Sequence, residues 1–167
     1  ALLAVVALAL LGAVVGGLGM LTLMLAQAQA YLGRQGLAIP PDQMATMLAV
    51  EERYGVPWPA LAAIARVESD SGRNPGPSSA GAVGYCQFLP ETWAAYGSDE
   101  DGDGVADPMS YLDCLPAVAR FLLAHGWRND DQEAQRRALF AYNHDWAYVD
   151  QVIVVALVYG LGGRWQG

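Results

Sequence analysis

Charge is absent from the beginning of this chain. No residue between Ala1 and Ala30 is charged, and the first charge is Arg34. Cations are few throughout: nine, all of them arginine, against seventeen acids, for a formal net charge of −8. So acidic a chain lacks the electrostatic footprint that nucleic acid or anionic lipid headgroups select. A neutral or zwitterionic glycan is not excluded. Cysteine and histidine are scarce, two of each, and no spacing among them resembles a zinc site. No internal repeat is present. In an exported domain the even pair Cys86 and Cys114 can form one disulfide, which would stabilise by roughly 3–4 kcal/mol in the chain-entropy model. The alternative is two separate buried thiols.

The hydrophobic fraction, 54%, is inflated by the N-terminus. Up to Ala26 the run is almost wholly Ala, Leu, Val, Gly and Met, and it exceeds the ~20 residues needed to cross a bilayer. Two readings compete. Residues 1–30 are expected to form a transmembrane anchor. The alternative is a secretory signal ending near Ala26-Gln27-Ala28-Gln29-Ala30. Either one places the rest of the chain across a membrane. Gly12 and Gly16 form a pair that can pack spans closely, although such pairs also arise by chance in Gly-rich runs.

Residues 31–41 read as a linker and residues 161–167 as a Gly-rich tail, compatible with a connection to a further domain. Between them the periodicity is helical. One helix starts at Pro40-Pro41-Asp42 and runs to Tyr54, stopped by Gly55-Val56-Pro57. The next has Pro59 in its first turn, where a missing N–H is tolerated. Further helices are expected over 90–96, 111–127, from Asp130-Asp131 to Tyr142, and 148–159. Residues 73–83, rich in Gly, Pro and Ser, read as an extended loop or a small β element. The expected fold is mainly α, with a small irregular or β region, behind an N-terminal hydrophobic helix.

Glu68 closes the apolar helix that carries Leu61, Ile64 and Ala65 at 3/4 spacing, so it lies in register with the buried stripe. A carboxyl half in oil is pushed toward its neutral form, which suits a general acid near neutral pH. The plain alternative is an exposed Glu, or one paired with Arg66 or Arg73. A second signal is the loop from Asp99 to Asp107, which holds five of the seventeen acids. Asp99, Asp101, Asp103 and Asp107 fall at positions one, three, five and nine of a calcium loop of the EF-hand type, with Gly104 at six and the Val105 carbonyl at seven. Position twelve is Ser110 rather than a bidentate Glu, so the site is incomplete, weak, or closed by another residue such as Asp113. A solvated acidic turn is the competing explanation.

Taken together, the segments Glu68-Ser69-x-x-Gly72, Gly84-Tyr85-Cys86-Gln87-Phe88-x-Pro90-x-Thr92-Trp93, Asp101-Gly-Asp103-Gly-x-x-Asp107-Pro108, His125-Gly126-Trp127 and Ala141-Tyr142-Asn143 with Tyr148 resemble lytic transglycosylases of the lysozyme superfamily. The first and last look like the soluble lytic transglycosylase catalytic domain. The acidic loop and His-Gly-Trp look like the membrane-bound B-type branch, some of whose members carry calcium. The likeness runs in order from Asp42 to Tyr159. It departs at Cys86, where an apolar residue, often Met, is usual, and at His144-Asp145-Trp146, where a Gly-containing turn is common.

The resemblance implies a lysozyme-like, α-rich transglycosylase domain over residues 42–160. It implies cleavage of the MurNAc–GlcNAc bond of peptidoglycan with closure of a 1,6-anhydro ring. Glu68 would be the single acid and base. Ser69, Gln87, Tyr142, Asn143 and Tyr148 are the expected substrate contacts, each a residue type that also serves as a cap, a backbone brace or core packing. Calcium is the expected structural cofactor and glycan strands the expected partner. The membrane, reached through the N-terminal helix, and an envelope or secretion complex are further expected partners. The catalytic domain would be extracytoplasmic. A hydrolytic muramidase and a non-catalytic wall-binding or assembly subunit are the alternatives.

Overall fold

A computed structural model describes residues 38–160, which form six helices joined by irregular segments. These are α1 (Pro41–Tyr54), α2 (Trp58–Ser69), α3 (Pro90–Tyr96), α4 (Tyr111–Ala124), α5 (Gln132–Asn143) and α6 (Trp146–Gly160). The expected anchor at 1–30, the linker up to residue 37 and the tail at 161–167 lie outside the described residues. Among the described residues no helix is long and apolar enough to cross a membrane.

Local chemistry sets the helix ends. Proline opens α1, α2 and α3 within the first turn, where its fixed φ and missing N–H fit. Gly55 closes α1 in the left-handed conformation, its N–H on the Glu51 carbonyl at 2.8 Å. The Glu51 carboxylate then accepts from Trp58 N at 3.0 Å, so one residue ties the end of α1 to the start of α2. Ser110 and Asp131 cap α4 and α5, accepting from Leu112 N and Ala134 N. The periodicity had carried α4 on to Trp127. The helix instead stops at Ala124, because Gly126 turns left-handed (φ 84°) and Trp127 N folds back onto the Leu122 carbonyl.

The core is built around α2. Ala60 through Ala65 are all buried, and the four alanines among them let neighbouring helices approach closely. Its main partner is α6, which buries Val149, Val152, Ala156 and Tyr159 along one helical face. Leu61 and Ile64 are fully covered, and each contributes about 1.5–3 kcal/mol of apolar burial. On the other side α1 packs against α4. Of the two forms expected for residues 73–83, loop or small β element, the irregular one is found: the described residues contain no strand, and the region contributes one isolated antiparallel bridge, Val83 with Phe88. Proline, glycine and serine there leave too few consecutive ladder-forming residues.

Candidate active site

The end of α2 is a sharp, costly turn. Asp70, Ser71 and Gly72 follow one another at φ 55°, 57° and 83°, a conformation that disfavours side chains with a Cβ. A Cβ on Gly72 would lie 2.8 Å from the Tyr85 ring, so glycine is required there by space as well as by φ. Ser69 secures the turn. It is buried, donates to the Tyr85 carbonyl at 2.5 Å and accepts from Gly72 N at 2.8 Å. Its hydroxyl therefore ties the helix end to the segment 83–88, here called the strap.

The two arginines that could have neutralised Glu68 are directed elsewhere. Arg66 and Arg73 both pair with Asp70 Oδ1, the latter at 2.9 Å. No ion pair among the described residues includes Glu68. The side chain is half-buried, and Oε1 is buried without a hydrogen-bond partner. Burial lifts its pKa from 4.5 to about 7, against a smaller downward pull from the Tyr148 hydroxyl. That hydroxyl faces the carboxyl but, like Oε1, completes no well-formed hydrogen bond. The result is a carboxyl that changes charge near neutral pH, the range in which a proton can be given and taken back.

Two phenols flank it. Tyr148, near the start of α6, and Tyr142, near the end of α5, have parallel rings with centroids 6.4 Å apart. Burial raises both hydroxyls well above their ordinary pKa, and the charge of Glu68 adds to this. Tyr142 is half-buried, and its hydroxyl donates to the Cys86 carbonyl at 2.8 Å. Phe88 and Phe121 pack against that ring at 5.3 and 5.0 Å. Asn143 is exposed at the last position of α5, and among the described residues no hydrogen bond is made by its side chain.

The strap is gripped from several sides. Gly84 N reaches the Pro75 carbonyl and Tyr85 N the Pro108 carbonyl, at 3.0 and 2.9 Å. Gly84 presses on Pro108 so tightly that a Cβ would meet its carbonyl oxygen at 2.0 Å. Gln87, left-handed at φ 50°, donates its amide to the carbonyls of Gly76 and Gly84 at 3.1 and 3.0 Å. Both N–H groups thus brace the loop, which leaves Oε1 as the group this residue can offer a ligand. Cys86 and Cys114 are joined by a disulfide, with Cα atoms 6.1 Å apart.

The acidic loop is clamped from α4 at both ends. Arg120 binds the Tyr96 carbonyl, Ser98 and Glu100 at one end. At the other, buried Asp113 accepts from Glu100 N at 2.7 Å and from Asp107 N at 2.9 Å. Carboxylate oxygens of Asp99, Asp101 and Asp113 all lie within 4.8 Å of one another. Asp101 is held above its usual pKa: Asp103 N–H pulls it down, but desolvation and the charges of Asp103, Asp113 and Asp99 outweigh that. Asp99 and Asp101 of the expected set lie in this cluster. Asp113, fourteen residues after Asp99, joins the cluster. Asp103 and Asp107 do not; their carboxylates accept from Val105 N and Met109 N in local turns. Val105 itself is exposed. Three carboxylates this close are hard oxygen donors of the kind that holds a divalent cation. A groove of about 340 Å3 lies beside this loop, lined by Ala45, Ala49, Arg53, Leu112 and Pro116 among others, and Glu68 takes no part in it.

The fold is similar to that of solved lytic transglycosylases. SltB3 of Pseudomonas aeruginosa, solved with NAG-anhNAM-pentapeptide, superposes with a TM-score of 0.63 at 20% identity over 86% of this chain and 65% of that one. SltB1 of the same organism gives 0.64 at 16% identity, over 81% and 78%. The Escherichia coli lytic transglycosylase SLT35, in complex with calcium, gives 0.60 at 17% identity, over 82% and 78%. Residues 76–152 match the family described as "Transglycosylase SLT domain". The match spans the strap, the acidic loop, α3 to α5 and the start of α6, and begins beyond Glu68. Membrane-bound lytic murein transglycosylase B of Escherichia coli (strain K12) is 41% identical over 71 residues, 42% of this chain. The chain spans about a fifth of that relative's length, 20%.

Proposed function

We propose that this domain is a peptidoglycan lytic transglycosylase with Glu68 as its single acid and base. The carrying observation is that Glu68 is an unpaired, half-buried carboxyl with a pKa near 7 and that the neighbouring carboxylates are occupied. Asp70 is held by Arg66 and Arg73, Asp150 pairs with Arg136, and Asp145 caps Ala147 N. Glycosidases that use water rely on two carboxylates at defined separation. A single carboxyl is sufficient when the nucleophile comes from the substrate.

Protonated Glu68 donates its proton to the glycosidic oxygen, and the C1–O bond breaks toward an oxocarbenium-like state. The carboxylate so formed takes the proton from the C6 hydroxyl of the same muramoyl residue. O6 then bonds to C1 and closes the 1,6-anhydro ring, with Glu68 protonated again and no water consumed. Tyr148 faces the carboxyl and steadies its charged form. Gln87 Oε1 and the half-buried Tyr142 are the groups offered to the sugar, with Asn143 at the rim and Ser69 fixing the turn beneath. The anhydro sugar named in the SltB3 complex is the product type this route yields.

The acidic loop would hold one Ca2+ through Asp99, Asp101 and Asp113, with Asp103, Val105 and Asp107 within the same loop. The ion would relieve repulsion and stiffen the connection between α3 and α4; it takes no part in bond cleavage. The domain 42–160 would work outside the cytoplasm, where its disulfide persists, with residues 1–30 as anchor.

Digestion of purified sacculi tests the reading. Muropeptides carrying 1,6-anhydro termini are expected, and their loss in Glu68→Gln. Products heavier by one water identify a muramidase instead. No cleavage by the wild-type protein leaves a wall-binding module.

A further inference from the structure

We propose that the Cys86–Cys114 disulfide is a positioning device for this site: it fixes the Cys86 carbonyl and so holds the Tyr142 hydroxyl there, off the Glu68 carboxyl. The inference rests on the reading of Glu68 as the acid and base. Its starting point is a count of donors and acceptors. A phenol has one proton to donate. In the structure Tyr142 gives it to the Cys86 carbonyl at 2.8 Å. Glu68 Oε1, whose charge Tyr142 feels, is buried without a partner. A buried acceptor lacking a donor is uncommon, and a charged acceptor would attract that proton more strongly than a peptide carbonyl. Something must keep the carbonyl in the better position.

The strap supplies three hydrogen bonds near this point, from Ser69 Oγ to the Tyr85 carbonyl, from Tyr85 N to the Pro108 carbonyl and from Gln87 N to the Gly84 carbonyl. The first two act on Tyr85; the third acts on the peptide that carries the Cys86 carbonyl but is long, at 3.3 Å. Cys86 itself is fixed covalently, through its sulfur, to α4. Both cysteines are buried, at 1% and 0% exposure, so the bridge is packed as well as bonded. On the far side, Cys114 adjoins Asp113, which clamps the acidic loop by two backbone N–H groups. The carbonyl that receives Tyr142 is therefore anchored to the most constrained part of α4. Without the bridge, the long Gln87 N hydrogen bond is what remains on the Cys86 peptide; we infer that it does not hold the carbonyl alone, and the phenol turns to the carboxylate.

The other titratable groups around Glu68 do not substitute for this control. Tyr148 of α6 already faces it. Asp70 on the following turn is held by two arginines. Asp42 of α1, Tyr111 of α4 and Tyr85 of the strap act on one another.

The test is a carboxyl 13C titration of Glu68 in the full chain, which needs no activity. In Cys86→Ala/Cys114→Ala the Glu68 midpoint should fall by about one pH unit, the effect of one hydrogen bond to the charged form. Adding Tyr142→Phe to that variant should restore the wild-type midpoint. A folded double variant with an unmoved midpoint overturns the proposal. So does a rise in the midpoint for Tyr142→Phe alone with the disulfide intact, since that places the hydroxyl on Glu68 already; this second arm holds if the alanine pair fails to fold. If wild type cleaves sacculi, the alkaline limb of its pH profile should follow the same order. Failure of wild type to cleave removes the functional reading without touching the titration.

Discussion

Glu68→Gln should make the domain more stable at pH 8 and leave it nearly unchanged at pH 4. The reason is linkage. In the unfolded chain Glu68 ionises near 4.5, and in the folded protein near 7. Below both values the carboxyl is neutral in each state and its effect on stability is nil. As pH rises through this window the unfolded state loses its proton first, so stability falls until the folded group has ionised too. Between 4.5 and about 7 the penalty grows to about 3 kcal/mol. Solvent reaches part of this side chain, which reduces the figure to about 2 kcal/mol. Glutamine keeps the shape and the donor of the protonated acid and never acquires the charge. Thermal unfolding of the two proteins at pH 4 and pH 8 should give matching midpoints in acid and a variant advantage on the order of 8 °C in base. A difference independent of pH would refute the argument, because it would mean that Glu68 is not desolvated in the folded state. Activity lost together with stability gained is the trade expected of a group held in a strained electrostatic position.

The remaining predictions concern its surroundings. Tyr148→Phe removes the hydroxyl that lowers the Glu68 pKa, so the alkaline limb of any cleavage profile should move upward, while the loss of an unpartnered buried hydroxyl leaves the melting temperature equal or higher. Gly84→Ala should destabilise more than Gly72→Ala, because the new methyl meets a backbone carbonyl in the first case and a ring edge in the second; denaturant titration should show losses of roughly 3 and 2 kcal/mol. Asp113→Asn leaves one buried N–H facing an amide donor and should cost about 2 kcal/mol. Ca2+ should raise the wild-type melting temperature, chelation should reverse it, and Asp113→Asn should blunt the response. Asp131→Ala removes the cap on α5 and should cost about 1 kcal/mol without altering any pH profile.

Much of the architecture is visible in the sequence because helices obey local rules. The prolines that open α1 to α3, the glycine after α1 and the 3/4 apolar spacing of α2 act within a turn or two of themselves. The end of α4 is also set locally, by the left-handed Gly126, although the helix expected over 111–127 runs three residues past Ala124. The choice between loop and β element at residues 73–83, which composition left open, marks the limit of that logic, since strand pairing depends on a partner elsewhere in the chain. Asp113 shows the same limit: the sequence offered it as one residue able to close the loop without deciding that it does. Its spacing of fourteen from Asp99 exceeds the twelve-residue loop template, and its place in the cluster follows from the start of α4, which no loop motif encodes.

By itself, the sequence determined where most helices begin, that Glu68 lies in register with an apolar stripe, and that an acidic loop must manage its own repulsion. These are consequences of backbone sterics, periodicity and charge density along a few neighbouring residues. Only the tertiary structure decided that Arg66 and Arg73 turn to Asp70, that Ser69 and Gln87 brace backbone, that Tyr142 gives its proton to Cys86, and that the two sulfurs meet. Each of those outcomes is a competition among donors and acceptors distant in the chain, and burial, which exists only once the core has closed, selects the winner.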